Sequence, residues 1–423
     1  MTKVDLTEIG QDARAASRLL ARARPAQMDL ALSMVAKALV ERGPEIVDAN
    51  SSDVERARAN GVDDHVVDRL VLDQERLASV AEGVRSVAAL PSPIGQETDS
   101  RVLSSGMRLS RRRVPLGVIG VIYESRPNVT ADVSSLCLKS GNAAILRGGK
   151  ESIQTNTALA RVFRDCLRRA GLPHNSIQLI PSTDRAIVEQ MLRMRDHIDL
   201  LIPRGGAELV MRVAREATMP AITGGIGVCH TYVDRAADLE KAASITYNAK
   251  VQRPSVCNAL DTVLVHSGVA GAFLPKIATV MGQAGVELRC DARALSIIGE
   301  NGDGPVVRAT SDDYGQEFLA LVASVKVVDS LEDALSHIET YGSGHSEAIV
   351  TENYATATRF TDEVDASAVF VNASTRLNDG GEFGLGAEVA ISTNKMHARG
   401  PMGLEELTSY KWIALGSGQI KEG

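Results

Sequence analysis

The residues best suited to chemistry lie in one stretch, Gln252-Arg253-Pro254-Ser255-Val256-Cys257-Asn258. It follows a helix-like segment and precedes a strand-like one, Asp261-Thr262-Val263-Leu264-Val265-His266. Proline and serine favour a turn there. The Cys257 thiol is therefore expected where two elements meet, held by rigid neighbours yet reachable from solvent. A cysteine nucleophile needs both properties. Taken alone, the stretch fits a small buried hydrophobe equally well, since that is how most free cysteines are used.

Other segments carry weaker signals. Gly205-Gly206 comes directly after a strand pattern and opens a helix pattern. Backbone N–H groups at such a turn are suited to a phosphate, and a plain strand-to-helix turn is the alternative. Arg147 and Lys150 close another strand at the same expected sheet edge, as phosphate or ribose partners or as solvated cations. Asn128, in Glu124-Ser125-Arg126-Pro127-Asn128-Val129-Thr130, follows the first strong strand pattern. It is a candidate amide donor to a developing oxyanion, or a capping asparagine beside a proline. Gly380-Gly381-Glu382-Phe383-Gly384-Leu385-Gly386 is too glycine-rich for a core element and reads as a loop passing close to a ligand or to another backbone, or as a linker. The dinucleotide fingerprint Gly-x-Gly-x-x-Gly, a nucleotide-hydrolase phosphate loop and paired metal-ligand spacings do not occur, so no metal is expected.

Composition narrows the classes. A chain of 423 residues is long enough for two or three domains. A net charge of -7 with 3% aromatics argues against a nucleic-acid binder, and Arg111-Arg112-Arg113, the one tight basic run, reads as a solvated strand end. Five scattered cysteines without a Cys-x-x-Cys pair argue against a disulfide framework and for a reduced, cytoplasmic setting. Of these, Cys137, Cys166, Cys229 and Cys290 read as core. The N-terminal segment, with Asp5, Glu8 and Asp12, has neither signal-peptide nor transit-peptide character, and no apolar run is long enough to span a bilayer.

The elements that must position these residues follow from periodicity. Residues 7–90 have helical period, divided at Arg42-Gly43-Pro44 and Asn60-Gly61. Strands are expected at Val118–Tyr123, Ala143–Leu146, Ile177–Ile180, Ile198–Ile202 and Ala221–Thr223. Helices are expected at Glu151–Ala170, Asp184–Met194 and Ala207–Ala217. After Cys257 the alternation resumes, with strands at Thr262–His266, Ser324–Val328, Ala348–Thr351 and Ala368–Asn372. The helices there are Ala270–Ala284, Leu331–Thr340 and Tyr354–Val364. Such alternation implies parallel sheets covered on both faces. The seam between two α/β units is expected near Gln252, which would put Cys257 in an interdomain cleft.

Taken together, four segments resemble the aldehyde dehydrogenase superfamily over about Val114 to Trp412. They are Tyr123 to Thr130, Thr223-Gly224-Gly225-Ile226-Gly227-Val228-Cys229-His230, Gln252 to Asn258, and Gly381 to Gly386. The likeness is strongest to a branch that reduces an acyl phosphate of glutamate. It implies an α/β fold of two doubly wound domains plus a small β element for oligomerisation. A cofactor-binding domain with a helical lead-in would span 1–100 and 114–251, and a catalytic domain 252–377. Oligomerisation elements would span 101–113 and 395–423.

Carried over by residue, the resemblance makes Cys257 the nucleophile and Asn128, with the Cys257 N–H, the oxyanion hole. Arg147 falls where the family has a lysine that contacts the adenosine ribose or its phosphate, and Gly205-Gly206 at the pyrophosphate turn. Glu317 is matched to a glutamate that holds the nicotinamide ribose, and Gly384 to the region that holds the substrate tail. Arg126, Arg253 and Glu382 are candidates for the substrate's polar groups, with Arg253 first for the expelled phosphate. A hydrolytic member's general-base glutamate is replaced here by Ile222, followed by Thr223, which suits a thioester that should not meet water. The implied reaction is NADPH-dependent reduction of L-glutamyl 5-phosphate to L-glutamate 5-semialdehyde by a homo-oligomer, with transient contact to glutamate 5-kinase. A hydrolytic or CoA-linked aldehyde dehydrogenase, or a non-catalytic binding protein on the same fold, are the alternatives.

Overall fold

The computed structural model describes residues 4–124, 126–224, 226–299 and 304–421, and the His65 side chain is also left aside. Ser125 and Gly225, each inside a motif singled out above, lie outside the described residues. The chain divides into two compact units. One comprises residues 1–223, 384–390 and 402–423, and the other residues 224–383 and 391–401.

The first unit begins with five helices, Leu6–Leu20, Pro25–Glu41, Gly43–Ala59, Asp64–Leu70 and Gln74–Ala89. Local signals set their starts. Asp5 accepts from the N–H groups of Thr7 and Glu8, Asp73 accepts from that of Arg76, and Pro25 and Pro44 stand in first turns, where a missing N–H costs nothing. A ribbon follows, β1 (Glu97–Val102) antiparallel to β2 (Arg108–Pro115), and the C-terminal strand Thr408–Leu415 pairs antiparallel along the other edge of β2.

The basic run Arg111–Arg113 is mid-strand rather than a solvated strand end. Arg111 pairs with Asp99 at 3.0 Å, Arg112 with Glu97 at 2.9 Å and Arg113 with Glu405 at 2.8 Å. Arg111 also lies over the ring of Tyr410, 3.5 Å from its centre. Opposite charges on neighbouring strands are the source of that order.

The core of this unit is a four-stranded parallel sheet in the order β5-β4-β3-β6, with β3 Val118–Tyr123, β4 Ala143–Arg147, β5 Ile177–Leu179 and β6 Leu200–Arg204. Every residue of β3 and β4 is buried, as the unbroken apolar runs require of strands covered on both faces. The expected strand at Ala221–Thr223 is reduced to an isolated bridge between Leu201 and Ala221. Thr223 is the last residue before the chain leaves this unit.

The second unit is a seven-stranded, wholly parallel sheet in the order β10-β9-β11-β8-β7-β12-β13. The strands are β7 Cys229–Val233, β8 Leu260–His266, β9 Glu287–Cys290, β10 Val306–Arg308, β11 Val322–Val328, β12 Ser346–Val350 and β13 Ala368–Val371. Along β8, Val263 and Val265 pack with Phe273, Leu274 and Ile277 in one cluster, while Leu264 packs with Tyr232, Ile349 and Phe360 in another. That alternation is the two-residue period of a strand buried on both sides. The chain passes between the units at Thr223–Gly224, not near Gln252, because β7 pairs with β8, with one register shift between Cys229 and His230, and so belongs to the second sheet.

Candidate active site

Helix Leu239–Val251 ends just before Gln252, and β8 begins at Leu260, so Cys257 stands in the loop leading into a central parallel strand. It is half-buried, whereas Cys137, Cys166, Cys229 and Cys290 are buried. Burial holds those four as thiols, with Cys137 and Cys290 pushed up to about 12.

The loop is held at its backbone. Cys229 Sγ donates to the Cys257 carbonyl oxygen at 3.2 Å. Thr375 Oγ1 donates to the Asn258 carbonyl at 2.7 Å, and the buried Asn258 amide donates to the Asn378 carbonyl at 3.0 Å. Gly227 lies so close that a Cβ on it would stand 1.5 Å from the Cys257 carbonyl oxygen. Asp261, on β8, fixes the base of the site. Its two oxygens accept from the N–H groups of Cys229 (3.3 Å) and Phe318 (3.1 Å), and Lys250 Nζ lies 3.6 Å away. Burial pushes the Asp261 carboxyl up to about 6 against the pull of Lys250, and pushes the Lys250 ammonium down.

Glu317 accepts the N–H of Gly227 at 3.0 Å. Burial raises its carboxyl from the ordinary 4.5 to about 7, partly offset by that hydrogen bond. Between these values the unfolded chain has released the proton and the folded chain still holds it, so this group's contribution to stability falls as pH rises from about 4.5 to 7. Glu317→Gln keeps an acceptor for Gly227 and removes the titration. The variant is expected to gain on the wild type in thermal midpoint between pH 5 and pH 8, by about 2 °C. A difference independent of pH in a thermal melt series would refute the assignment.

The first unit holds the other cluster of expected residues. A cavity of about 300 Å³ is lined by Arg147, Lys150, Arg185, Gly206 and Arg212, among others, at the ends of β3 and β4 and the start of helix Ala207–Glu216. The Arg147 side chain is buried, its Nε has no hydrogen-bond partner, and burial lowers its pKa. The lining also carries Glu124, Glu151 and Glu208, so it is the buried Arg147 guanidinium with its unsatisfied N–H, beside a glycine turn, that suits the phosphate end of a dinucleotide. At the glycine turn, Glu124 Oε2 accepts the Gly206 N–H at 3.0 Å and would clash with any Cβ on Gly205.

The remaining expected residues are scattered. Asn128 opens helix Asn128–Lys139, and its amide donates to Asp132 at 2.9 Å. Arg126 is half-buried, and Arg253, Glu382 and Gly384 are exposed. Gly384 takes φ +74°, and it belongs to the first unit while Glu382 belongs to the second. Ile222, where a hydrolytic enzyme would carry its base, is a buried hydrophobe. Three residues were not foreseen as parts of the site: Gly227, Asp261 and Arg376. Gly227 lay within a quoted glycine-rich segment, and Arg376 just past a recognised strand, so both left a signal. Asp261 left none, because a carboxylate on a strand gives no sign of which backbone amides will reach it.

A half-buried cysteine at the head of a parallel strand, on two parallel α/β sheets, is the arrangement of the aldehyde dehydrogenase class. The chain matches the Aldehyde dehydrogenase family over residues 1–294. The fold is shared with an acetylating aldehyde dehydrogenase from Geobacillus thermoglucosidasius, 17% identical, with all of both chains covered and a TM-score of 0.70. Relatives at higher identity are named gamma-glutamyl phosphate reductase. One from Dehalococcoides mccartyi is 54% identical over 99% of both chains, and one from Escherichia coli is 51% identical over 98% of this chain and all of that one. The crystal structure of that enzyme from Thermotoga maritima is 44% identical over 99% of this chain and all of its own, with a TM-score of 0.96. The chain belongs to the aldehyde dehydrogenase family, and within it to the gamma-glutamyl phosphate reductases. It is an oxidoreductase acting on a small-molecule substrate, in a family that works with nicotinamide cofactors. Among the described residues no helix is long and apolar enough to cross a membrane.

Proposed function

We propose that this chain reduces L-glutamyl 5-phosphate to L-glutamate 5-semialdehyde with NADPH, releasing phosphate, as the second step of proline biosynthesis from glutamate. The observation that carries this reading is the full-length identity to relatives named for that reduction. The Cys257 thiolate attacks the acyl carbon; the carbon–sulfur bond forms, the carbon–oxygen bond to phosphate breaks, and phosphate departs with the electron pair. The Cys257 N–H and the Asn128 amide donate to the oxyanion, Asn128 being oriented by its bond to Asp132. A nicotinamide cofactor, when bound, would supply the hydride that the thioester carbon accepts. Cys257 then leaves as thiolate and the aldehyde is released. Arg253 is assigned to the departing phosphate, and Arg126, Glu382 and Gly384 to the rest of the substrate.

Arg147 and Lys150 would hold the cofactor's 2′-phosphate, Gly205-Gly206 its pyrophosphate and Glu317 its nicotinamide ribose. Displacement of Glu124 from Gly206 accompanies that binding. The Ile222 side chain offers water no base. Self-assembly through the strands at 97–115 and 408–415, transient contact with glutamate 5-kinase and a cytoplasmic location complete the reading.

The test runs the reaction backwards, with glutamate 5-semialdehyde, phosphate and either NADP or NAD. Phosphate-dependent formation of reduced cofactor, faster with NADP, is expected. Reduction indifferent to phosphate would replace this reading by a hydrolytic dehydrogenase, and reduction that needs coenzyme A by a CoA-linked one. No turnover by folded protein would sink all three.

A further inference from the structure

Arg376 sits in the short turn Thr375–Leu377 that follows β13. Its guanidinium clasps both ends of the Cys257 loop: Nε donates to Gln252 Oε1 at 2.9 Å, and Nη1 donates to Asn258 Oδ1. The turn itself is tied to the same loop through Thr375 and Asn378. Its position is therefore fixed from both sides.

Its charge is left unneutralised. Most arginines of the antiparallel sheet pair with carboxylates, whereas among the described residues Arg376 has no aspartate or glutamate within ion-pair distance, and neither has Arg253. The partners of Arg376 are two neutral amide oxygens, which occupy two of its five N–H groups. It is half-buried, and burial and the charge of Arg253 disfavour its protonated form, while Asp379 and Cys257 favour it. Two guanidiniums beside a nucleophile, without a carboxylate between them, are costly in the free enzyme and are relieved by an incoming anion.

We propose that Arg376, together with Arg253, holds an oxyanion of the substrate beside Cys257. The inference rests on the acyl phosphate reading. That substrate has two anionic groups, the phosphoryl group and the α-carboxylate, and guanidinium recognises both. The amide partners aim the fork, and Arg376 is thus a binding residue that also braces the loop.

The test is the reverse reaction of Arg376→Gln, with separate KM values for phosphate, semialdehyde and NADP. One anionic substrate's KM is expected to rise about tenfold or more, while the NADP value stays within about threefold. A rise for phosphate assigns the phosphoryl group, and a rise for semialdehyde assigns the carboxylate. Gln252→Ala loosens the clasp but keeps the cation, and should change neither KM by more than about threefold. Loss of kcat alone, or equal KM changes in both variants, would reduce Arg376 to a brace and overturn the proposal. Arg376→Lys, which keeps the charge without the fork, should show the same split at smaller size, and guards against a folding failure of the glutamine variant.

If the wild type shows no phosphate-dependent turnover, the substrate reading fails separately. The rise in thermal midpoint with inorganic phosphate or with glutamate then decides the anion site. A rise in the wild type that is lost in Arg376→Gln supports it, and no rise overturns it.

Discussion

Replacement of Cys257 by alanine is expected to lower phosphate-dependent turnover by about 10⁴-fold or more, with the fold intact. No other thiol can substitute, because the remaining four cysteines are buried and held protonated by that burial. Alanine removes only the sulfur and keeps the carbonyl at which Cys229 and the close approach of Gly227 hold position 257. The thermal midpoint should therefore move little. A thiol-specific alkylating reagent applied to native protein should label Cys257 before any other cysteine, as read by peptide mass spectrometry. Retention of more than about a tenth of the activity would remove the thioester from the mechanism.

Gly227→Ala should be nearly as damaging through contact alone. The added carbon would lie 1.5 Å from the Cys257 carbonyl oxygen and 2.5 Å from its carbonyl carbon, both backbone atoms. Neither strand nor loop yields easily. Gly227 is pinned by Glu317, and the Cys257 carbonyl by Cys229. Overpacking of this kind costs about 1–3 kcal/mol, and relief requires moving the nucleophile. Displacement of a reacting atom by about 1 Å costs about 100-fold in rate. The expected result is a loss of kcat of that order together with a lower thermal midpoint. Gly271→Ala is the control. It lies inside helix Ser267–Gln283, with nothing near its would-be Cβ, and should be neutral or slightly stabilising. A Gly227→Ala enzyme as active as this control would show that the close approach has no bearing on catalysis.

The parallel architecture was legible because strands buried on both faces must be continuous apolar runs. Val118–Tyr123 and the strand ending at His266 could be read almost to the residue. β9 and β10 were not, since Glu287–Cys290 alternates polar with apolar and Val306–Arg308 is only three residues long. The antiparallel ribbon was placed at 101–113 and 395–423 by the resemblance and not by periodicity. Its first two strands are polar and rich in arginine, and the third pairs with a segment far away in sequence. Cys257 announced itself through a proline-containing turn between two periodic elements. Arg147, Lys150 and Gly206 gather on one cavity because strand ends of a parallel sheet share an edge. Asp261 offers its carboxylate to backbone N–H groups where the β7–β8 pairing skips a residue, and Gly227 lies against the Cys257 backbone; such pairing and close approach are not written in either strand by itself.

The division of the chain also orders events during synthesis. The first unit is assembled from three separate stretches, and the strand Thr408–Leu415, which completes the sheet of β1 and β2, leaves the ribosome after nearly all of the second unit. The seven strands of the second sheet are all available before that strand is made. A nascent chain halted near Ala390 would thus carry a complete thiol-bearing sheet in the second unit and a first unit still missing a strand. Until Thr408–Leu415 is made, β2 has an open edge with unpaired backbone groups, the part of the chain most exposed to mispairing.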